Sequence, residues 1–246
     1  MSIPVSIDDA QRARPEEPLR DRQLRWVSFA HTDLEGADLR GVRLTQVDLT
    51  GASLRGARLE GASFELVDAS AACFANASGA FHADRSTFRS ADFSGASLER
   101  TAWHGCSLER AVFTGADLSR AILAHCNAAQ ASFRECTLMW VNSVNTSYAG
   151  AELAQAHNFF VTREIVVEVL HRALGGDSHM LHILGSAMLD ERWCYPEWKQ
   201  YLENSPLLRN LAMDTFLAYP RSGCAQALQR GWRPPRAGGP PSPRAL

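Results

Sequence analysis

A large apolar residue returns at every fifth position along the first part of the chain: Phe29, Leu34, Leu39, Leu44, Leu49, Leu54, Leu59 and Phe64. Two places before each sits a small or short residue: Val27, Thr32, Ala37, Val42, Val47, Ala52, Ala57 and Ala62. A period of five fits neither the 3.6 of a helix nor the 2 of a strand, so the pattern predicts a repeat architecture. The count runs in one frame to Phe74 and breaks between Gly79 and Arg85. It resumes one residue out of step at Phe88, Phe93, Leu98, Trp103, Leu108, Phe113, Leu118, Leu123, Ala128, Phe133 and Leu138. The two-residue offset is the same in both frames (Ala91, Ala96, Thr101, Cys106, Ala111), which predicts one structure with a local deletion or a register-resetting bulge.

Ala-Asp-Leu at 37–39 and 116–118, Ala-Asp-Phe at 91–93 and Ala-Ser-Leu at 52–54 and 96–98 resemble the units of the pentapeptide-repeat family. That resemblance covers about half of the chain. It implies a right-handed quadrilateral β-helix, an all-β fold with four pentads per coil. Residues twenty apart should then stack at about 4.8 Å. Phe93, Phe113 and Phe133 form one interior ladder, Leu98, Leu118 and Leu138 another, and Cys106 lies under Cys126. Outside, Asp38 should oppose Arg58, and Arg40 should oppose Glu60, each pair adding roughly 0.2–1 kcal/mol.

Beyond 157 the pattern changes to helical spacing. Thr162 is placed as the N-cap of a helix over 163–174, with Gly175-Gly176 as its stop. Further helices are expected over Ser178–Glu191, Pro196–Leu202, Pro206–Tyr219 and Gly223–Arg230. The expected organisation is a flexible arm over 1–22, a β-helix over 23–157, an α-helical capping or interaction domain over 158–232 and a disordered Pro/Gly-rich tail over 233–246. A solenoid needs its open end covered, and the helices are the expected cover.

Composition narrows the chemistry. A formal charge of −2 gives no general attraction to nucleic acid or anionic membrane. No window approaches a membrane span, and no secretory signal is seen at the start of the chain. Six cysteines without a CxxC pair read as reduced thiols of a cytoplasmic protein. Cys106 and Cys126 are expected to be buried apolar thiols. No phosphate loop, GxSxG or HExxH appears. Asp177, His179 and His182 lack an evident further ligand and read as surface groups, so no catalytic residue, metal or cofactor is expected.

The expected function is therefore that of a non-catalytic protein-binding scaffold. An uncharged surface at Ile122, Met139, Trp140 and Val144 is one candidate for partner contact. The aromatic cluster of Trp193 and Trp198 is another, with packing of the C-terminal helices as the alternative for both. The family resemblance also implies a narrower possibility, a DNA-mimicking protein that binds DNA gyrase or topoisomerase IV and protects it from quinolones or peptide toxins. Residues 24–157 hold fourteen acids against eleven arginines. Over about 31 Å of rod that is one net charge per roughly 10 Å, against one per about 1.7 Å in duplex DNA. Mimicry by the whole rod is poor, which leaves a local acidic strip of Asp33, Glu35, Asp48 and Asp68. Monomer and homodimer are both compatible with the chain.

Overall fold

The computed structural model describes residues 19–159, 162–173, 175 and 206–228. Three-residue strands recur once per coil: β1 (Gln23–Arg25), β2 (Arg43–Thr45), β3 (Ser63–Glu65), β4 (His82–Asp84), β5 (Ala102–His104), β6 (Ile122–Ala124) and β7 (Asn142–Val144). They form one parallel seven-stranded sheet in chain order, which is one wall of a solenoid (face 1). Three more walls are held by single parallel bridges. Ser28↔Asp48↔Asp68 runs up face 2, Asp33↔Ser53↔Cys73 up face 3 and Asp38↔Arg58↔Ser78 up face 4. The five-residue period follows from this geometry, since each pentad spends three residues on a wall and two on a corner.

The core is a continuous column filled by the fifth-position residues. Phe74, Phe93, Phe113 and Phe133 stack with centroid separations of 4.8, 5.0 and 5.2 Å and nearly parallel planes. Each ring buries enough apolar surface to contribute roughly 1.5–3 kcal/mol, and offset stacking adds about 0.5–1.5 kcal/mol per pair. Alanine, valine or cysteine fills most of the second inward positions, which are buried as well.

The register break is a deletion. Ser63 pairs with His82, nineteen positions on, whereas Arg43 pairs with Ser63 and Ala102 with Ile122, twenty apart. The missing residue belongs to the corner between faces 4 and 1, where the column reads Gly41, Gly61 and then, two coils above Gly61, Arg100. Gly79 occupies the place that Leu59 and Leu98 hold in the coils below and above. It has φ 109°, and a Cβ there would lie 2.5 Å from the amide nitrogen of Glu60, so only glycine fits. Ala83 likewise stands in register between Phe64 and Trp103. The space is filled from an unexpected direction: Phe81 sits at a small-residue position, its ring 5.2 Å from Phe64 and 4.8 Å from Trp103.

The corner between faces 1 and 2 carries a buried polar ladder. At the other corners the small inward residue donates its amide to the carbonyl three residues back, as Ala52 does to Leu49 (3.0 Å) and Ala57 to Leu54 (3.0 Å). Here side chains take over. The Val67 amide donates to Ser86 Oγ (3.0 Å), and the Cys126 amide to Thr146 Oγ1 (3.3 Å). Ser86 Oγ in turn lies 3.0 Å from the Asp84 carbonyl, and Thr146 Oγ1 3.0 Å from that of Leu123. Cys106 and Cys126 continue the column, their thiols 3.3 and 3.4 Å from the carbonyls of His104 and Ala124. The two thiols are buried as expected, but they are polar links as well as filler. Contact with Cys126, then burial, pushes the Cys106 thiol up.

Helices follow the last coil: α1 (Arg163–Ala173), α2 (Pro206–Leu217) and α3 (Cys224–Leu228). Arg172 of α1 donates to the carbonyls of Ala151 (2.7 Å) and Tyr148 (3.3 Å) and pairs with Glu168 (2.7 Å), which accepts the Gly150 amide (3.1 Å). Helix α1 thus satisfies backbone groups that a further coil would have paired. Gly175 has φ 57° at the end of α1, as a left-handed C-terminal glycine should. Thr162 holds the N-cap position as expected, its carbonyl accepting the amides of Ile165 and Val166 (both 3.1 Å), but its hydroxyl donates to the Val141 carbonyl (3.4 Å) and ties the helix start to the rod. The helices expected over 178–191 and 196–202, the arm up to residue 18 and the tail lie outside the described residues. Within the expected arm, Leu19 is buried in the core and the Asp21 amide donates to the Arg40 carbonyl (2.9 Å), so the rod begins before residue 23.

Candidate functional site

The outward residues of a solenoid are set by period and coil number, so the candidate surfaces can be located directly. Asp48 stacks on Asp68 on face 2, while Asp33 and Glu35 lie on face 3 in the first coil. The strip is therefore split over two walls. None of the four makes a salt bridge among the described residues.

These aspartates have structural work that sequence reasoning missed. Asp33 Oδ1 accepts the amide of Glu35 (3.0 Å), Asp48 that of Thr50 (2.9 Å) and Asp68 that of Ser70 (2.9 Å). Asp92 and Asp117 do the same for Ser94 and Ser119, and Asn127 for Ala129. The carboxylate next to the inward residue closes an Asx-type loop over the corner, and this is why the repeat favours Asp or Asn there. Asp48 also accepts the Ser28 hydroxyl at 3.0 Å. The Thr50 amide first, then hydroxyl groups, hold its carboxyl below the usual range.

The charge pairing on face 4 differs in part from expectation. Asp38 meets Arg58 at 3.0 Å as expected. Arg40 pairs with Asp38 of its own coil at 2.6 Å, not with Glu60. The two flank one inward residue on the same wall, so the in-coil partner is nearer. Glu60 turns instead to the shortened corner, where it accepts the Ala80 amide at 3.1 Å. The Arg40 guanidinium holds the Asp38 carboxyl far below the usual carboxylate range.

The uncharged candidates converge. Ile122 stands in register between Ala102 and Asn142, and Val144 is in register with Ala124. Met139 and Trp140 lie just before β7, at the corner that leads from face 4 into face 1. Met139 is 38% exposed and Val144 43%, while Ile122 and Trp140 are half-buried. Trp193 and Trp198 lie outside the described residues, as do Asp177, His179 and His182. Among the described residues no cluster of three or more metal-ligating side chains occurs, and no described helix is long and apolar enough to cross a membrane.

The deletion creates a further feature that no motif announced. Where the corner residue is missing, a recess of about 610 Å³ opens on face 1, with Arg25, Arg43 and Arg100 along it. The one signal for it in the sequence was the slipped count at Gly79–Arg85.

The family model for pentapeptide repeats matches in eight copies, over residues 23–61, 48–78, 91–127 and 104–138. The unmatched span between 78 and 91 contains the shortened corner. Among solved structures the chain is similar to QnrB1, a plasmid-mediated fluoroquinolone resistance protein. Identity is 20% over 56% of this chain and 78% of that one, with a TM-score of 0.41. It is also similar to HetL of the cyanobacterium Nostoc, a pentapeptide-repeat protein involved in regulating heterocyst differentiation. There identity is 25%, with the same coverage and a TM-score of 0.28. Comparison with curated proteins finds no match. The repeat count, the four-walled parallel solenoid and the matched residues make this chain a member of the pentapeptide-repeat family.

Proposed function

We propose that the protein is a non-catalytic cytoplasmic scaffold that binds a protein partner through the C-terminal half of face 1 and the corner before it. The supporting observation is the convergence of Ile122, Met139, Trp140 and Val144 into one uncharged, partly exposed surface on a rigid wall. Methionine and tryptophan are enriched at interface centres, and a pre-ordered wall loses little conformational entropy on binding. The test is photo-crosslinking in the host cell from a probe residue at position 144, with position 55 on face 3 as control. A discrete adduct from 144 that disappears with Met139→Glu supports the reading. Equal adducts from both positions, or none from 144, overturn it.

A narrower reading concerns the acidic strip. The repeat family includes proteins that bind DNA gyrase or topoisomerase IV. In this chain Asp48 sits directly under Asp68, neither in a salt bridge among the described residues, and Asp33 and Glu35 lie on the adjoining wall. The test is a supercoiling assay with purified gyrase, titrating this protein with and without a quinolone. Asp48→Asn with Asp68→Asn is the informative variant, because asparagine keeps the bond to the corner amide and removes only the charge. Protection that weakens in this variant and falls steeply with salt supports gyrase binding through the strip. No effect of the protein at tens of micromolar refutes it.

A further inference from the structure

The recess at the shortened coil has a charge arrangement that the fold does not use. Arg25 and Arg43 line it without a salt bridge or side-chain hydrogen bond among the described residues. Arg100 stands on its upper rim, its Nε 3.4 Å from Glu99, and His82 is exposed on its floor. The two acids that reach it are engaged elsewhere. Glu60 accepts the Ala80 amide at 3.1 Å, and Glu65 pairs with Arg85 at 3.4 Å. Among the described residues the groups left without a partner are thus the Arg25 and Arg43 cations, inside a concavity that exists because one corner residue is absent and its neighbours in the coils below, Gly41 and Gly61, have no side chains.

We propose that this recess binds an extended acidic peptide segment of a partner protein, whose carboxylates pair with Arg25, Arg43 and Arg100. The span from the coil of Arg25 to that of Arg100 is four steps of about 4.8 Å, or about 19 Å. Five or six extended residues cover that length at about 3.3–3.6 Å each. Guanidinium groups take carboxylates in a planar, two-pronged geometry. Trp26 (68% exposed) and Leu66 (42%) stand along the opposite corner of face 1, where they can receive the apolar residues of an alternating segment. A nucleic acid fits less well, because Glu60 and Glu65 interrupt the cationic line and would face a continuous phosphate chain. The proposal shares with the scaffold reading only that the ligand is protein; its residues are separate from those of the apolar surface.

The test is fluorescence anisotropy with the full chain and three labelled probes: a hexapeptide alternating Glu and Leu, its Lys counterpart, and a six-nucleotide oligothymidylate. The acidic peptide is expected to bind saturably, and Arg25→Glu with Arg43→Glu to weaken it by about tenfold or more. Arg89→Glu, on face 2 and paired with Glu109 at 3.3 Å, should leave affinity within about twofold. Val144→Glu should also leave it unchanged, which separates this site from the apolar surface. Circular dichroism checks each fold, and Arg25→Gln with Arg43→Gln replaces the reversal if that variant unfolds. Binding no tighter than that of the Lys peptide, binding that survives loss of both arginines, or tighter binding of the oligonucleotide would each overturn the proposal.

Discussion

Phe81 offers the sharpest test of how the rod tolerates a deletion. Its ring fills volume that Gly79 and Ala83 leave empty, packed edge-on against Phe64 and Trp103 at 5.2 and 4.8 Å. Phe→Ala in a rigid core costs about 3–5 kcal/mol, because the lost transfer energy is joined by a cavity that the walls cannot collapse into. The coils above and below are fixed by backbone ladders, so relaxation is small and about 4 kcal/mol is expected for Phe81→Ala. With a urea m-value of about 2 kcal/mol/M, the midpoint should fall by about 2 M. Far-UV circular dichroism and tryptophan fluorescence report the transition. The second arm is Ala83→Phe. Alone it should overpack the coil and cost about 1–3 kcal/mol. Combined with Phe81→Ala it returns the ring to the column between Phe64 and Trp103 and should restore at least half of the loss. A single-variant loss below about 1 kcal/mol, or free acceptance of Ala83→Phe beside Phe81, would show that the space is not filled as described.

Two further outcomes follow from the polar groups. Ser86→Ala removes the acceptor of the buried Val67 amide and should cost about 1–3 kcal/mol. Ser86→Cys should cost less than half of that, since Cys106 and Cys126 hold the same station one and two coils on; equal midpoints for Ser86→Ala and the parent would refute the ladder. Asp38 and Asp48 have folded-state carboxyls held below their ordinary range. Their contribution is therefore present above the unfolded value of about 3.9 and is lost as pH falls through the folded values. Melting temperature should drop between about pH 4 and pH 2, and Asp38→Asn with Asp48→Asn should flatten that drop. An unchanged acid slope in the double variant would remove these carboxylates from the account.

Much of the fold was legible because a solenoid turns sequence period into space without long-range choices. Phe93, Phe113 and Phe133 are twenty apart, and they stack. Asp38 and Arg58 are twenty apart, and they pair. The outward positions of Ile122, Met139, Trp140 and Val144 follow from the same count. Arg40 escaped it because a partner on its own wall, Asp38, is closer than the one a coil away. The hydroxyl of Thr162 escaped because local helix signals do not report a carbonyl twenty-one residues back on the rod.

With the four-pentad coil implied by the family resemblance, the sequence by itself thus determined the five-residue period, which residues face inward, and that the count slips by one near Gly79. Each of these depends on neighbours at fixed separations along the chain, and the side-chain types record them. The tertiary structure alone decided what the slip does: Phe81 crosses into the core from a small-residue station, and the missing corner opens a recess beside Arg25 and Arg43, which form no salt bridge among the described residues. It also decided that Ser86, Cys106, Cys126 and Thr146 form one hydrogen-bonded column, and that the repeat's aspartates serve their own backbone. Those outcomes depend on which atoms fill a shared volume and which amides are left without a carbonyl. Both are settled by three-dimensional packing, and no single pentad encodes them.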